Sequence, residues 1–164
     1  MKRKTIYLVS AAVAAGFILL IIFFALGKPS DTDNNSEAPK QPIHWHPKLT
    51  ITIKGEKQLI PPNIGINIGN NIDNQISGMR MSPVHTHESD GTIHLENSRP
   101  WLKPETLTLG YFFEVWGKNF NSSCIFEYCN GEAGTLTMKV NGQPNYEFGD
   151  YIMHDKDNII IEYK

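Results

Sequence analysis

Five of the six histidines fall within about fifty residues, as His44-Trp45-His46, His85-Thr86-His87 and His94. Neutral imidazole is the commonest side-chain ligand for zinc, copper and iron. A lone histidine is usually a satisfied polar residue, but two His-x-His pairs with a further imidazole point to a metal site. Along a strand alternate side chains share a face, so His44 and His46 point one way, as do His85 and His87. Glu88-Ser89-Asp90-Gly91 separates His87 from His94, and its Asp-Gly tip predicts a hairpin. A tight register about that tip brings His87 and His94 to cross-strand contact, with Glu96 on the same face as His94. The candidate ligands are therefore His85, His87, His94 and Glu96, with His44 and His46 joining them or forming a second site. Met79 and Met81 share a face in an extended segment, and thioethers favour copper, while a carboxylate such as Glu96 or Glu88 favours zinc or non-haem iron. Copper and zinc rank level, with iron behind them.

Other chemistry finds less material. Ser77, Ser82 and Ser89 lie near histidines, but none sits in a Gly-x-Ser-x-Gly elbow. There is no phosphate loop and no Gly-x-Gly-x-x-Gly. Glu88, Asp90 and Glu96 offer carboxylates for acid–base work, although a solvated hairpin tip explains them as well. No catalytic residue is assigned. The two cysteines, Cys124 and Cys129, are expected to form a disulfide in an oxidising compartment rather than a thiolate metal pair.

The N-terminus indicates where such a site works. Met1-Lys2-Arg3-Lys4 is basic and residues 6–26 carry no charge. A run of that length matches the ~20 residues that span ~30 Å of hydrocarbon as a helix. It exceeds the ~7–15 apolar residues of a signal peptide core, which favours an uncleaved anchor over cleavage near Ala25-Leu26-Gly27. The basic flank keeps residues 1–5 in the cytoplasm and places the remainder outside a cell membrane crossed once. Residues 27–42 lack aromatic and β-branched aliphatic side chains and read as a flexible linker. Residues 43–164 suit one domain. The net charge of −2 and the lack of a basic stripe exclude a nucleic-acid partner.

The elements must position the histidines. Lys48 to Ile53 alternates as a strand, with Lys57 to Ile60 returning as its hairpin partner. Met79 to His87 and Thr92 to Glu96 form the histidine-bearing hairpin. Thr106 to Gly117 predicts a helix, capped by Thr108 and ended by Gly117, with Gly110 a weak point inside it. Thr135 to Val140 and Ile159 to Tyr163 are strands, with a short piece at Tyr151 to Met153. With the hairpin set aside as an insertion, the order of strands about one helix is that of a β-grasp. The expected class is α+β: an N-terminal transmembrane helix plus one β-rich, β-grasp-like domain with an inserted hairpin. An all-β sandwich or a cupin-like barrel is the alternative.

Three resemblances accompany this reading. The ending GDYIMHDKDNIIIEY looks like the last strands of β-grasp domains of the transcobalamin C-terminal type. The segments HWHPKLTITIKG, IPPNIGI, HTHESDGTIHLE and TLGYFFEVWG resemble a group of small exported or membrane-anchored proteins of unassigned function, which implies location but no activity. His85-x-His87 and His154-Asp155-Lys156-Asp157-Asn158 are similar to the two cupin motifs, although Gly91 and Thr92 stand where the first motif needs glutamate. The sequence thus points to a membrane-anchored, extracytoplasmic domain that binds a transition metal. The alternatives are a metal-dependent enzyme of cupin-like type and a cell-surface interaction domain without metal.

Overall fold

Lys48–Ile53 (β2) alternates exposed and buried side chains, and this pattern sets the main sheet. The computed structural model describes residues 42–70, 72–74, 79–97 and 103–164. β2 lies parallel to the last strand, Asn158–Tyr163 (β10), in register from Lys48↔Asn158 to Ile53↔Tyr163. Leu136–Val140 (β8) pairs antiparallel with the other edge of β10. The two-residue strands Glu56–Lys57 (β3) and Gln143–Pro144 (β9) close the edges in the order β3-β2-β10-β8-β9. One face of the three long strands supplies Leu49, Ile51, Ile53, Ile159, Ile161, Tyr163, Leu136, Met138 and Val140 to the core. Each such side chain contributes about 1.5–3 kcal/mol on burial.

Leu109–Trp116 (α1), the one α-helix among the described residues, supplies much of the rest of that core. Thr108 caps it by accepting from the Tyr111 backbone N–H, and Gly117 ends it in the left-handed conformation. Six of its eight residues are buried. Gly110, the weak point in the sequence, has a packing role: a Cβ there would lie 2.8 Å from the Gly149 carbonyl oxygen. Glycine there costs about 1 kcal/mol of helix propensity, but any side chain would collide with the Gly149 backbone. A 3-10 turn at Pro104–Leu107 replaces the first turn of the longer helix expected. Cys124–Ile125 (β6) and Tyr128–Cys129 (β7) form a small hairpin crossed by a Cys124–Cys129 disulfide.

The fold-class expectation needs correction. The described chain is mostly sheet with one helix, and no helix among the described residues is long and apolar enough to cross a membrane. The expected span at 6–26, and the linker as far as residue 41, lie outside the described residues. The histidine segment is not an inserted hairpin either. Ile43–Trp45 (β1), Val84–His85 (β4) and His94–Asn97 (β5) form a separate three-stranded sheet in the order β1-β5-β4. A hairpin alone would leave its apolar face uncovered. Here Val84 and Leu95 pair directly and are buried, and Trp45 packs beside them against the core.

The expected long strand from Met79 to His87 shortens to β4 for local reasons. Arg80 has φ 61°, which breaks extended alternation. Pro83 has no N–H to give to a ladder. Met79 and Met81 therefore lie off any strand, and the argument for a shared thioether face does not hold. Tyr151 to Met153 is likewise no strand of the sheet; only Ile152 forms a bridge, to Thr108.

Candidate metal centre

The register of the small sheet collects the histidines. Directly opposed residues of antiparallel strands share a face. His44 pairs with Glu96 and His85 pairs with His94, and Glu96 lies two residues from His94 on the same strand. These four side chains therefore emerge from one face, opposite Trp45, Val84 and Leu95. His46 and His87 each follow a paired histidine by two residues and join the same group. The expected register was off by one pair: His85, not His87, stands opposite His94. The longer turn still brings the His87 ring to 4.6 Å from that of His94, centroid to centroid.

Backbone contacts on both sides hold these positions. Thr86 points the other way, is buried and donates through Oγ1 to the Pro61 carbonyl at 2.8 Å. Its backbone N–H donates to the Ile64 carbonyl, and its carbonyl accepts from Asn63 N–H. This anchors the residue between His85 and His87. At the tip, Asp90 accepts from the Thr92 backbone and hydroxyl, which holds its carboxyl below the usual range. Asp90 is thus a turn builder rather than an acid–base group. The tip docks on β2, where Leu49 N–H donates to the Gly91 carbonyl and Ile93 N–H to that of Pro47.

His85 is fully buried, and its Nδ1 lies 3.0 Å from the Ser82 carbonyl oxygen. A carbonyl only accepts, so Nδ1 carries the proton and Nε2 presents its lone pair to the histidine group, where it accepts from His87 Nε2–H in the absence of metal. Metal-bound histidines are commonly oriented in this way, by an outer hydrogen bond from the second ring nitrogen. His85 Nε2 lies 3.2 Å from His87 Nε2. Two nitrogens on one tetrahedral zinc ion lie about 3.3 Å apart, from bonds of roughly 2.0–2.1 Å. Burial, the largest cause, lowers the His85 pKa from its ordinary value, with Glu96 opposing the shift and His87 and His44 adding to it.

His94 is the hub. Its ring centroid lies 4.6 Å from His87, 4.7 Å from His46 and 5.5 Å from His85. Burial first, then the neighbouring histidines, pushes its pKa down to about 4. His94 Nδ1 is buried with no hydrogen-bond partner among the described residues. Its closest acidic neighbour, Glu96 Oε1, is 3.6 Å away, while the same oxygen is 3.0 Å from His44 Nε2. An unsatisfied buried polar atom costs about 1–3 kcal/mol, which a bound ligand would recover.

Two overlapping donor groups result. One is His85, His87, His94 and Glu96; the other is His44, His46 and His94. In each, one ligand atom per residue lies within 4.8 Å of every other, so the histidine and glutamate clusters could hold a metal ion. All six sequence-derived candidates lie in these groups, and His94 belongs to both. No family model, curated protein or solved structure matches this chain.

His154, compared above with a cupin motif, lies outside both donor groups. It stacks on Trp45 at 5.9 Å and sits 3.6 Å from Asp157. Its neighbour Asp155 contributes more. Asp155 Oδ1 accepts from the His46 backbone N–H at 3.0 Å, across 109 positions of sequence. Asp155 and the Ser82 carbonyl orient candidate ligands, and no local motif marks either. Glu88 is exposed at the hairpin tip and belongs to neither group.

Proposed function

We propose that this chain is a transition-metal-binding protein whose resting site is His85, His87, His94 and Glu96. The convergence of these four donors on one sheet face, with ligand atoms within 4.8 Å of one another, carries the reading. Three further features support it. His85 is held with Nε2 aimed inward, His94 has an orphaned buried nitrogen, and His94 stays neutral down to about pH 4, so the ligand form prevails at neutral pH. Three imidazoles and a carboxylate suit zinc or copper(II), with zinc favoured by Glu96, and iron is a weaker match. The protein's role is metal handling outside the cytosol, a location supported by the Cys124–Cys129 disulfide.

The test is elemental mass spectrometry on the untagged full chain purified from metal-replete medium. The expected result is close to one zinc or copper ion per chain, lost in His85→Ala/His87→Ala. A metal-free wild-type chain that shows no thermal shift with zinc, copper or iron would end this reading.

A further inference from the structure

The two donor groups differ in exposure as well as composition. The outer group is open, with the His44 side chain 63% exposed and that of His46 40% exposed. The shared His94 is 19% exposed and Glu96 14%, while His85 is wholly buried. His87, at the other side of the inner group, is exposed as well, so a single continuous face runs from exposed imidazoles through His94 to the one that is buried, His85. Glu96 bridges the same boundary, since its Oε1 lies 3.0 Å from His44 Nε2 and 3.6 Å from His94 Nδ1.

We propose that His44, His46 and His94 form an acceptance position from which a zinc or copper ion passes to His85, His87, His94 and Glu96, with His94 as the ligand common to both. This rests on the metal-binding reading above. A neutral imidazole has one lone-pair nitrogen and one N–H, so His94 serves one ion at a time and the two positions are alternatives. The step is ligand exchange. Bonds from the ion to His44 and His46 break as bonds to His85 and His87 form, and the bond to His94 is retained. No electron moves and the exchanging ligands are neutral imidazoles, so no net proton is released. Glu96 offsets part of the ion's charge on the buried side. An ion already held by His46 and His94 lies beside His85 at high effective concentration. Asp155 is a positioning residue here, because its carboxylate fixes the His46 backbone.

The test uses the metal-free full chain, zinc ion and a chromophoric zinc chelator, with stoichiometry at equilibrium and loading rate by stopped flow. His44→Ala/His46→Ala should still bind one zinc ion with affinity within about threefold of wild type, but load at least about tenfold more slowly. Asp155→Ala, which removes no imidazole, should slow loading in the same direction. His85→Ala/His87→Ala should keep a fast, weak phase and lose tight binding. Wild-type loading rates in both His44→Ala/His46→Ala and Asp155→Ala would overturn the transfer route while leaving the resting site in place. Two zinc ions per wild-type chain would overturn the shared-ligand argument. Absence of zinc binding by the wild type would instead remove the underlying metal site, a distinct result.

Discussion

His85 and His94 face each other directly across β4 and β5, their rings 5.5 Å apart and within 15° of parallel. Burial lowers the pKa of both, that of His94 to about 4. In the unfolded chain both return toward the ordinary value of 6.5. Below that value the unfolded chain takes up protons that the folded chain does not, so acid favours unfolding. The metal-free protein should hold its stability above about pH 6.5 and lose it as pH falls toward 4. For His94 alone, the loss is on the order of 2 kcal/mol after allowing for partial solvent screening. Urea unfolding at a series of pH values checks this. His94→Gln should flatten the slope, and an unchanged slope in that variant would refute the assignment.

Metal should stabilise the folded state in proportion to occupancy. At a free zinc concentration of ~100 times Kd, the gain is about 2.7 kcal/mol. His94 borders both donor groups, so His94→Ala should abolish the zinc-induced rise in Tm, whereas His44→Ala should retain most of it. Differential scanning calorimetry of the three proteins, each with and without zinc, makes the comparison. Equal retention by both variants would remove His94 from the centre of the site.

The ligand types and their shared face were legible because period-two alternation is local. His44-x-His46, His85-x-His87 and Glu96 two positions after His94 needed no tertiary information. Thr108 and Gly117 marked the helix ends for the same reason, since both are local capping preferences. The register was not legible, because Asp90-Gly91 resembles a tight-turn tip but serves a wider loop docked on β2. Whether β1 lies beside β5 was also hidden, as the pairing of His44 with Glu96 joins segments far apart in sequence. The same distance hid Asp155, whose link to His46 spans the domain. The expected strand at Met79 failed because propensity could not show the positive φ of Arg80.

Thr108 separates stability from metal chemistry. Its hydroxyl oxygen accepts from Tyr111 N–H, and its O–H donates to the Glu105 carbonyl. Thr108→Ala should cost about 1 kcal/mol through loss of the cap. Its hydrogen bonds run to Glu105, Tyr111 and Phe112 and not to a donor residue, so zinc stoichiometry should stay the same. Chemical denaturation and a zinc titration on one preparation test both halves. A loss of stoichiometry in a variant still folded at the assay temperature would show that the helix positions the site more tightly than its contacts indicate.

Gly91 couples the two properties. Its φ is +90°, and a Cβ there would lie 2.3 Å from the Leu49 carbonyl oxygen. Alanine must therefore either strain the backbone or push the hairpin tip off β2. Displacement weakens the bond from Leu49 N–H to the Gly91 carbonyl and moves the segment between His87 and His94. Gly91→Ala should cost about 2 kcal/mol of stability. It should also weaken zinc binding by roughly ten- to a hundredfold, the size of effect seen when the support of a metal ligand is lost. Gly55 provides the control. It too has a positive φ, but no atom lies within 4 Å of an added Cβ. Gly55→Ala should carry backbone strain with zinc affinity unchanged. If both variants bind zinc as the wild type does, docking of the tip on β2 does not set the spacing of His87 and His94. If only Gly91→Ala loses affinity, the contact with Leu49 is what holds the donors in place.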